Sequence, residues 1–469
     1  MIEFILNDKK VTTDLPSGSL LLDFIRYEED LKGTKIGCRE GDCGACTVLI
    51  GEVVNGKMKY SNVTSCLTPI ANVQGKHVVS IEGLNLKNLT PVQQYMVDEA
   101  GTQCGFCTTG FVVSLTSFCL TNETPTYEDA IASINGNICR CTGYKSIERA
   151  ALHITESLKN KSTDDIISWL VEHHFIPDYF TEIQSQLSDI QPVKIRENAK
   201  ILVGGGTDLY VQQHEKMVEL EITALVQDEK IRFIKFEDDI CTLGAATTVS
   251  DMWDSPELNQ IFPKLKEHLK LVSSQPIRNI STIAGNFVNA SPIGDMTAFF
   301  LALNSSITLE ENGKQRTILL KDLYLGYKDL DKTENEVITQ LSFEIPNENT
   351  FFNLEKVSKR THLDIASVNS ALKIELKDDL IQKAFISAGG VGPIPMVLSK
   401  TGVFLVGKEI NAENIKAANE ILQTEISPMS DVRGTEEYKR LLLRQLFYAH
   451  FMKLFPEKVE LGELVIRRS

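Results

Sequence analysis

Basic charge is in short supply. Against 63 Asp+Glu the 469 residues carry 48 Lys+Arg, a formal charge of −15. Such a balance offers no counter-charge to a nucleic acid or an anionic membrane surface, so neither is expected as the main partner. Long apolar runs are missing too. The longest candidates, Phe111–Leu120 and Ala298–Leu303, are short or broken by Ser and Thr. A membrane-spanning helix needs about 18 apolar residues or more. The start, Met1-Ile2-Glu3-Phe4, has an acid where a signal peptide needs a basic region, so a soluble, cytoplasmic chain is expected. Catalytic signatures are equally absent: there is no H-E-x-x-H, no G-x-S-x-G, and the eight histidines are scattered. No residue stands out as a substrate base or nucleophile.

Cysteine is scarce overall and concentrated where it occurs. Ten cysteines in this length are too few for a disulfide scaffold. Nine of the ten lie between Cys38 and Cys141, and Cys241 alone lies beyond. Something in the first third of the chain needs thiolates. The remaining composition, 42% apolar and 24% charged, is ordinarily globular, and the length suits about three domains.

Residues 1–85 read as a small mixed domain. Ile2–Leu6 and Val11–Asp14 flank a polar turn and predict a hairpin. Ser19 is placed to cap a helix over Leu20–Glu29, and strand-like Thr47–Val54, Lys57–Val63 and His77–Ile81 follow a Gly- and Cys-rich loop. Hairpins around one helix make a β-grasp pattern. Residues 86–158 are helical by apolar spacing, with helices at Val92–Val97, Phe106–Leu120, Tyr127–Ile134 and Ile147–Leu158. Thr90-Pro91 is a cap followed by proline, and Thr126 with Asp129 has capping-box spacing. Residues 159–198 are polar and read as a linker, with one amphipathic helix around Ile166–Phe175. Residues 199–350 alternate strands (Lys200–Val203, Cys241–Leu243, Ile307–Leu309) with helices, and 351–469 run strand, strand, helix (Asn414–Gln423) and a long helix near Glu436–Lys453. The fold class is therefore α+β and multidomain.

Cys38-x4-Cys43-x2-Cys46, with Cys66 further on, has the plant-type ferredoxin spacing that holds a 2Fe-2S cluster. Gly37, Gly41 and Gly44 let the loop curl so that N–H groups point at sulfur. A four-thiolate zinc site is the alternative, although zinc ribbons favour paired short knuckles. Cys104-x2-Cys107 and Cys139-x-Cys141 form a second set. By residue type it suits a second 2Fe-2S cluster whose charge adjoining helix N-termini favour, half a zinc site, or a redox pair. Cys119 and Cys241, inside apolar runs, read as buried small hydrophobes.

Two loops further on suit anions. Leu202-Val203-Gly204-Gly205-Gly206-Thr207-Asp208-Leu209 puts three glycines after an apolar strand, so backbone N–H groups can approach a pyrophosphate. It fits neither the G-x-G-x-x-G nor the Walker pattern, and a Gly triplet is also simply a turn. Ser281-Thr282-Ile283-Ala284-Gly285-Asn286 continues to Asp295 and offers small, hydroxylated donors, with Asp295 able to accept from a cofactor hydroxyl. Lys356 read bare is a solvated lysine.

Three strings carry a resemblance: Lys35-Ile36-Gly37-Cys38-Arg39-Glu40-Gly41-Asp42-Cys43-Gly44-Ala45-Cys46-Thr47-Val48, Gln103-Cys104-Gly105-Phe106-Cys107-Thr108, and Gly136-Asn137-Ile138-Cys139-Arg140-Cys141-Thr142-Gly143-Tyr144. They resemble the small iron–sulfur/FAD subunit of bacterial xanthine dehydrogenases, in the molybdenum hydroxylase family. Thr109 departs from the proline usual there, at the cost of a rigid turn residue but no ligand. The resemblance implies a 1–85 ferredoxin-type 2Fe-2S domain, an 86–158 helical 2Fe-2S domain, a 199–350 FAD-binding domain and a 351–469 C-terminal flavoprotein domain. It implies iron ligation by Cys38, Cys43, Cys46 and Cys66, and by Cys104, Cys107, Cys139 and Cys141. Gln103 and Cys141 would lie against the molybdopterin of a partner chain. FAD contacts are implied at Leu202, Val203, Gly204, Gly205, Gly206, Thr207, Asp208, Leu209, Thr282, Ile283, Ala284, Gly285, Asn286, Asp295 and Lys356. Asp364-Ile365-Ala366, Ser387–Pro395 and Asp431-Val432-Arg433-Gly434-Thr435 also fit. The implied activity is oxidation of hypoxanthine and xanthine to urate at molybdenum on a separate large subunit, in a heterotetramer of two small and two large chains. Electrons would reach NAD+ through both clusters and FAD. Family members that oxidise aldehydes or N-heterocycles, and a stand-alone diaphorase, are the competing readings. The chain alone is expected to be inactive on xanthine.

Overall fold

The structure, a computed structural model, describes residues 1–121, 124–190, 201–360 and 363–464. The chain forms two compact units: Met1–Asp228 with Ser274–Ser281, and Glu229–Ser273 with Thr282–Ser469.

The first unit begins with the expected hairpin, Ile2–Leu6 against Lys9–Thr13. It belongs to a five-stranded mixed sheet whose order is 9–13, 2–6, 77–79, 47–54, 57–64. The strand at 77–79 runs parallel to 2–6 and antiparallel to 47–54. Alternation explains why both faces are covered. Phe4, Leu6, Val48, Ile50 and Val63 pack with Leu21, Phe24 and Ile25, whereas Leu49, Tyr60 and Val79 join the core of the helical region. The helix expected over Leu20–Glu29 differs: Leu21–Asp23 is α-helical and Phe24–Glu28 widens into a π turn. Asp23, at the junction, takes the Arg39 guanidinium of the cysteine loop through two bonds of 3.0 and 2.6 Å.

Four helices follow at Pro91–Asp98, Thr108–Thr121, Tyr127–Ser133 and Lys145–Ser157. Thr90 and Gln93 close a full capping box, and Thr126 accepts from the Asp129 amide. Cys119 is fully buried in the apolar helix. Residues 159–190 are packed rather than strung out: Leu170 of helix Ile166–Glu172, with Phe175, Ile176 and Phe180, joins the same core. Residues 191–198 of the expected linker, and Lys200, lie outside the described residues. Of the expected strand Lys200–Val203, Leu202–Val203 pairs in parallel with Thr223–Ala224.

The second unit holds two sheets. One is antiparallel, ordered 314–319, 306–311, 337–344, 240–244, 234–237, and buries Cys241, Leu243, Ile307 and Leu341. The other runs 350–357, 368–377, 380–389, 396–397 and is covered by helix Glu436–Leu454 through Leu443, Phe447 and Phe451. Helix Asp295–Ala302 is buried from Met296 to Ala302 and packs on strands 368–377 and 380–389. Its apolar run reflects burial on every side. Among the described residues no helix is long and apolar enough to cross a membrane.

Candidate functional site

The first four cysteines meet in pairs. The amides of Cys38 and Cys43 each donate to the other's sulfur at 3.4 Å, and the Glu40 amide donates to Cys38 Sγ at 3.3 Å. The bond from Cys43, helped by the amides of Glu40, Cys43 and Asp42, pulls the Cys38 thiol down to about 5, and the same bond pushes Cys43 up. Cys46 and Cys66, both buried, share a proton likewise: the bond between them lowers Cys46 and raises Cys66. Gly41 and Gly44 sit at φ +77° and +67°, conformations open to glycine, and a Cβ on Gly37 would stand 2.5 Å from Cys43 Sγ. The loop is thus a cradle of amides aimed at sulfur, suited to thiolates carrying a buried negative group.

The second four also pair. Cys104 and Cys141 sulfurs are 3.6 Å apart, and both residues are exposed. Cys107 hydrogen-bonds Cys139; burial first, then that bond, pushes Cys107 up to about 12. For Cys139 burial opposes charge, but the Thr142 hydroxyl and amide, with the Cys141 amide, outweigh it and lower the thiol. Thr142 Oγ1 is 3.1 Å from Cys139 Sγ, and the Cys139 amide donates to the Tyr144 hydroxyl at 3.0 Å. Thr109 occupies the second position of helix Thr108–Thr121, where no intrahelical amide bond is required, so the missing proline leaves the helix start intact.

Among the described residues no three His, Cys, Asp or Glu side chains converge on one ion position. The two-by-two arrangement suits a binuclear cluster, with two thiolates for each iron, better than the single four-thiolate centre that zinc requires.

In the first unit, the Gly204–Gly206 turn follows strand Leu202–Val203. A Cβ on Gly205 would lie 1.7 Å from the Ile280 carbonyl oxygen, and Gly206 has φ +83°. Main chain thus stands against Gly205, while the Tyr210 ring lies against Gly206. Tyr210 secures it, its amide donating to Gly206 and its hydroxyl to the Gly18 carbonyl at 2.7 Å.

In the second unit, Thr282 caps helix Ile283–Asn289 by accepting from Gly285 at 3.2 Å. Asn286 Oδ1 accepts from the Thr297 amide and hydroxyl at 3.1 and 2.9 Å, tying that turn to helix Asp295–Ala302. Asp295 has both oxygens engaged: Oδ2 with Lys356 Nζ at 2.6 Å, Oδ1 with Asn369 Nδ2 at 2.7 Å. Lys356 is not solvated. Its side chain is 3% exposed and also donates to the Leu271 carbonyl at 2.7 Å. Asn369 escaped the sequence reading, although a buried Asn-Ser pair in the apolar strand Val368–Lys377 was a usable signal. Its Oδ1 is buried without a hydrogen-bond partner. A fixed ammonium, a fixed carboxylate and an unsatisfied acceptor form the donor and acceptor mix that the polar edge of a flavin needs.

The comparisons with known proteins agree with this geometry. Four family models match in sequence order: a 2Fe-2S iron-sulfur cluster binding domain over residues 4–71, a [2Fe-2S] binding domain over 80–152, an FAD binding domain in molybdopterin dehydrogenase over 170–348, and a CO dehydrogenase flavoprotein C-terminal domain over 354–454. They define a two-cluster iron–sulfur flavoprotein of the oxidoreductase class. Together they make the chain similar to the 2Fe-2S and FAD portion of molybdenum hydroxylases. Curated relatives include xanthine dehydrogenase 1 of Arabidopsis thaliana, 28% identical over 93% of this chain and 38% of that protein. Aldehyde oxidase 1 of Bos taurus is 26% identical over 96% of this chain and 39% of that protein. The chain thus spans about two fifths of the length of such relatives. Among solved structures, carbon monoxide dehydrogenase from Hydrogenophaga pseudoflava matches at 25% identity and TM-score 0.50, covering 52% of this chain and 86% of that one. Quinoline 2-oxidoreductase from Pseudomonas putida 86 shares the fold at 21% identity and TM-score 0.50, over 56% and 90%.

Proposed function

We propose that this chain is the electron-transfer subunit of a xanthine dehydrogenase. In this reading a molybdenum centre on a large partner chain oxidises hypoxanthine and xanthine to urate. The bound groups supply one-electron carriage at two 2Fe-2S clusters and exchange between one- and two-electron chemistry at FAD, with NAD+ the final acceptor. Cys38 and Cys43 hold one iron of the first cluster and Cys46 and Cys66 the other; Cys104 with Cys141, and Cys107 with Cys139, divide the second. In the second unit Thr282–Asn286, Asp295 and Lys356 bind FAD, with Asn369 as the holder of Asp295; in the first unit the Leu202–Leu209 turn is a further candidate for FAD contacts. Gln103, Cys104, Phe106, Arg140 and Cys141 are all exposed at the second cage, which supports a partner seated there with its molybdopterin. The assembly is two small and two large chains, in the cytoplasm.

The observation that carries the reading is the pairwise meeting of eight thiols inside two domains that match 2Fe-2S models, ahead of the FAD domain. A second reading, the same role on an aldehyde or N-heterocycle oxidising enzyme, is favoured by the aldehyde oxidase relative and the quinoline oxidoreductase fold. Co-expression with a molybdenum-binding large chain from the same source, followed by an assay of xanthine-dependent NADH formation, decides between them. Activity confined to an aldehyde or N-heterocycle establishes the second. A fully loaded monomer that never co-elutes with a large chain refutes both.

A further inference from the structure

The turn that carries Cys38 is gripped from outside its cage. Arg39 sits at φ +56°, a left-handed conformation that residues other than glycine rarely adopt. That turn brings the Glu40 amide back to Cys38 Sγ at 3.3 Å. An arginine has no preference of its own for such a turn. Two bonds from its guanidinium to the Asp23 carboxylate, at 3.0 and 2.6 Å, hold it there, and a planar fork held by both oxygens of one carboxylate keeps little freedom. The grip comes from the irregular helix. Asp23 ends the α-helical turn Leu21–Asp23. Arg26, inside the π turn Phe24–Glu28, donates to the Lys32 and Thr34 carbonyls at 3.1 and 2.6 Å, where the chain enters the cysteine loop. Leu21, Leu22, Phe24 and Ile25 stay buried, so the widened turn keeps its apolar side chains inside while two polar ones reach the loop. Such turns are rare and recur at functional sites.

We propose that Asp23 and Arg39 are positioning residues for the group in the first cage: their pair holds the left-handed turn, keeps the Glu40 amide on Cys38 Sγ, and so raises the reduction potential of that group. The proposal rests on the two-cluster reading above. Reduction adds one electron to a group already ringed by four thiolates, and an amide donating to sulfur stabilises the added negative charge. The guanidinium and the carboxylate stand side by side, so their own charges largely cancel at the cage. What remains is the geometry they enforce. Arg26 anchors the entry of the loop, so slack created at Arg39 is not taken up there. None of these residues is oxidised or reduced, and no bond forms or breaks.

The test uses the full chain purified without air, with its iron and flavin. Arg39→Ala and Arg39→Gly lose the same charge and the same bonds to Asp23, but glycine takes φ +56° freely and alanine does not. Titration with dithionite, which supplies the electrons, is followed by paramagnetic resonance and gives the potential of each cluster. The second cluster is the internal reference. The expected result is a first-cluster potential lower in Arg39→Ala than in Arg39→Gly, with the second cluster unmoved and four irons kept, as two 2Fe-2S domains require. Loss of the first cluster from Arg39→Ala but not from Arg39→Gly supports the proposal equally. Asp23→Ala should lower the first potential too, although losing a carboxylate would by charge alone raise it. An Arg39→Ala potential equal to or above that of Arg39→Gly, loss of the first cluster from both, or an unchanged or raised potential in Asp23→Ala overturns the proposal. A wild-type chain with fewer than two clusters instead overturns the reading beneath it.

Discussion

Replacing Lys356 by methionine probes the buried Lys356–Asp295–Asn369 group of the second unit most directly. Lys356 and Asp295 side chains are 3% and 13% exposed and 2.6 Å apart, so the change leaves a carboxylate nearly out of water with only the Asn369 amide to satisfy it. The Leu271 carbonyl loses its donor as well. Removing one partner of a buried pair costs roughly 3–5 kcal/mol, because the survivor stays desolvated and unpaired. In a unit of this size that amounts to a fall of roughly 6–20 °C in Tm. Lys356→Met/Asp295→Asn should recover much of the loss, since both charges are then gone and Asn369 can still bond an amide. The chain carries two tryptophans, Trp169 in the first unit and Trp253 in the second, so fluorescence of Trp169→Phe and Trp253→Phe backgrounds reads each unit separately. Flavin and iron content must be matched across variants, because bound cofactor adds its own stability. Three outcomes would refute the reasoning: an undisturbed second unit in Lys356→Met, equal loss in both units, or a double variant no better than the single.

The cysteines divide into two kinds with opposite expectations. Cys141→Ser should remove one cluster signal and about half the iron, whereas Cys119→Ser should leave iron unchanged and only destabilise, by roughly 1–3 kcal/mol for a hydroxyl in an apolar core, which iron analysis and urea melts would check. Gly205→Ala should strip flavin while sparing iron, because its Cβ would fall 1.7 Å from a backbone oxygen; the flavin-to-iron absorbance ratio measures this. Burial pushes His77 down to about 3 and His450 to about 4, from 6.5. Above pH 6.5 neither matters. As pH falls below it the unfolded chain binds protons that the folded chain refuses, so each unit should lose about 2 kcal/mol per histidine at pH 5. His77→Gln and His450→Gln should flatten that fall in urea unfolding followed against pH.

Local spacing makes the cysteine half of this protein legible. Cys38-x4-Cys43-x2-Cys46 needs glycines where the loop turns and amides where sulfur sits, and those requirements lie within a few residues of each other. Capped helices such as Pro91–Asp98 are equally local, because Thr90 and Gln93 satisfy their ends without help from elsewhere. The π turn at Phe24–Glu28 and the packed course of 159–190 were not readable, since both follow from what the distant sheet and helices require of them.

By itself the amino-acid order determined where the cysteines cluster and where helices start, and it set the expectation that cofactors rather than side chains do the chemistry. Tertiary structure alone decided which sulfur faces which, that Lys356 is locked to Asp295 rather than solvated, that Asn369 holds the same carboxylate, and that Asp23 grips Arg39. The reason is physical. Spacing along the chain limits what one loop can do, but hydrogen bonds between residues far apart in sequence exist only after burial has excluded water and made an unpaired polar group costly.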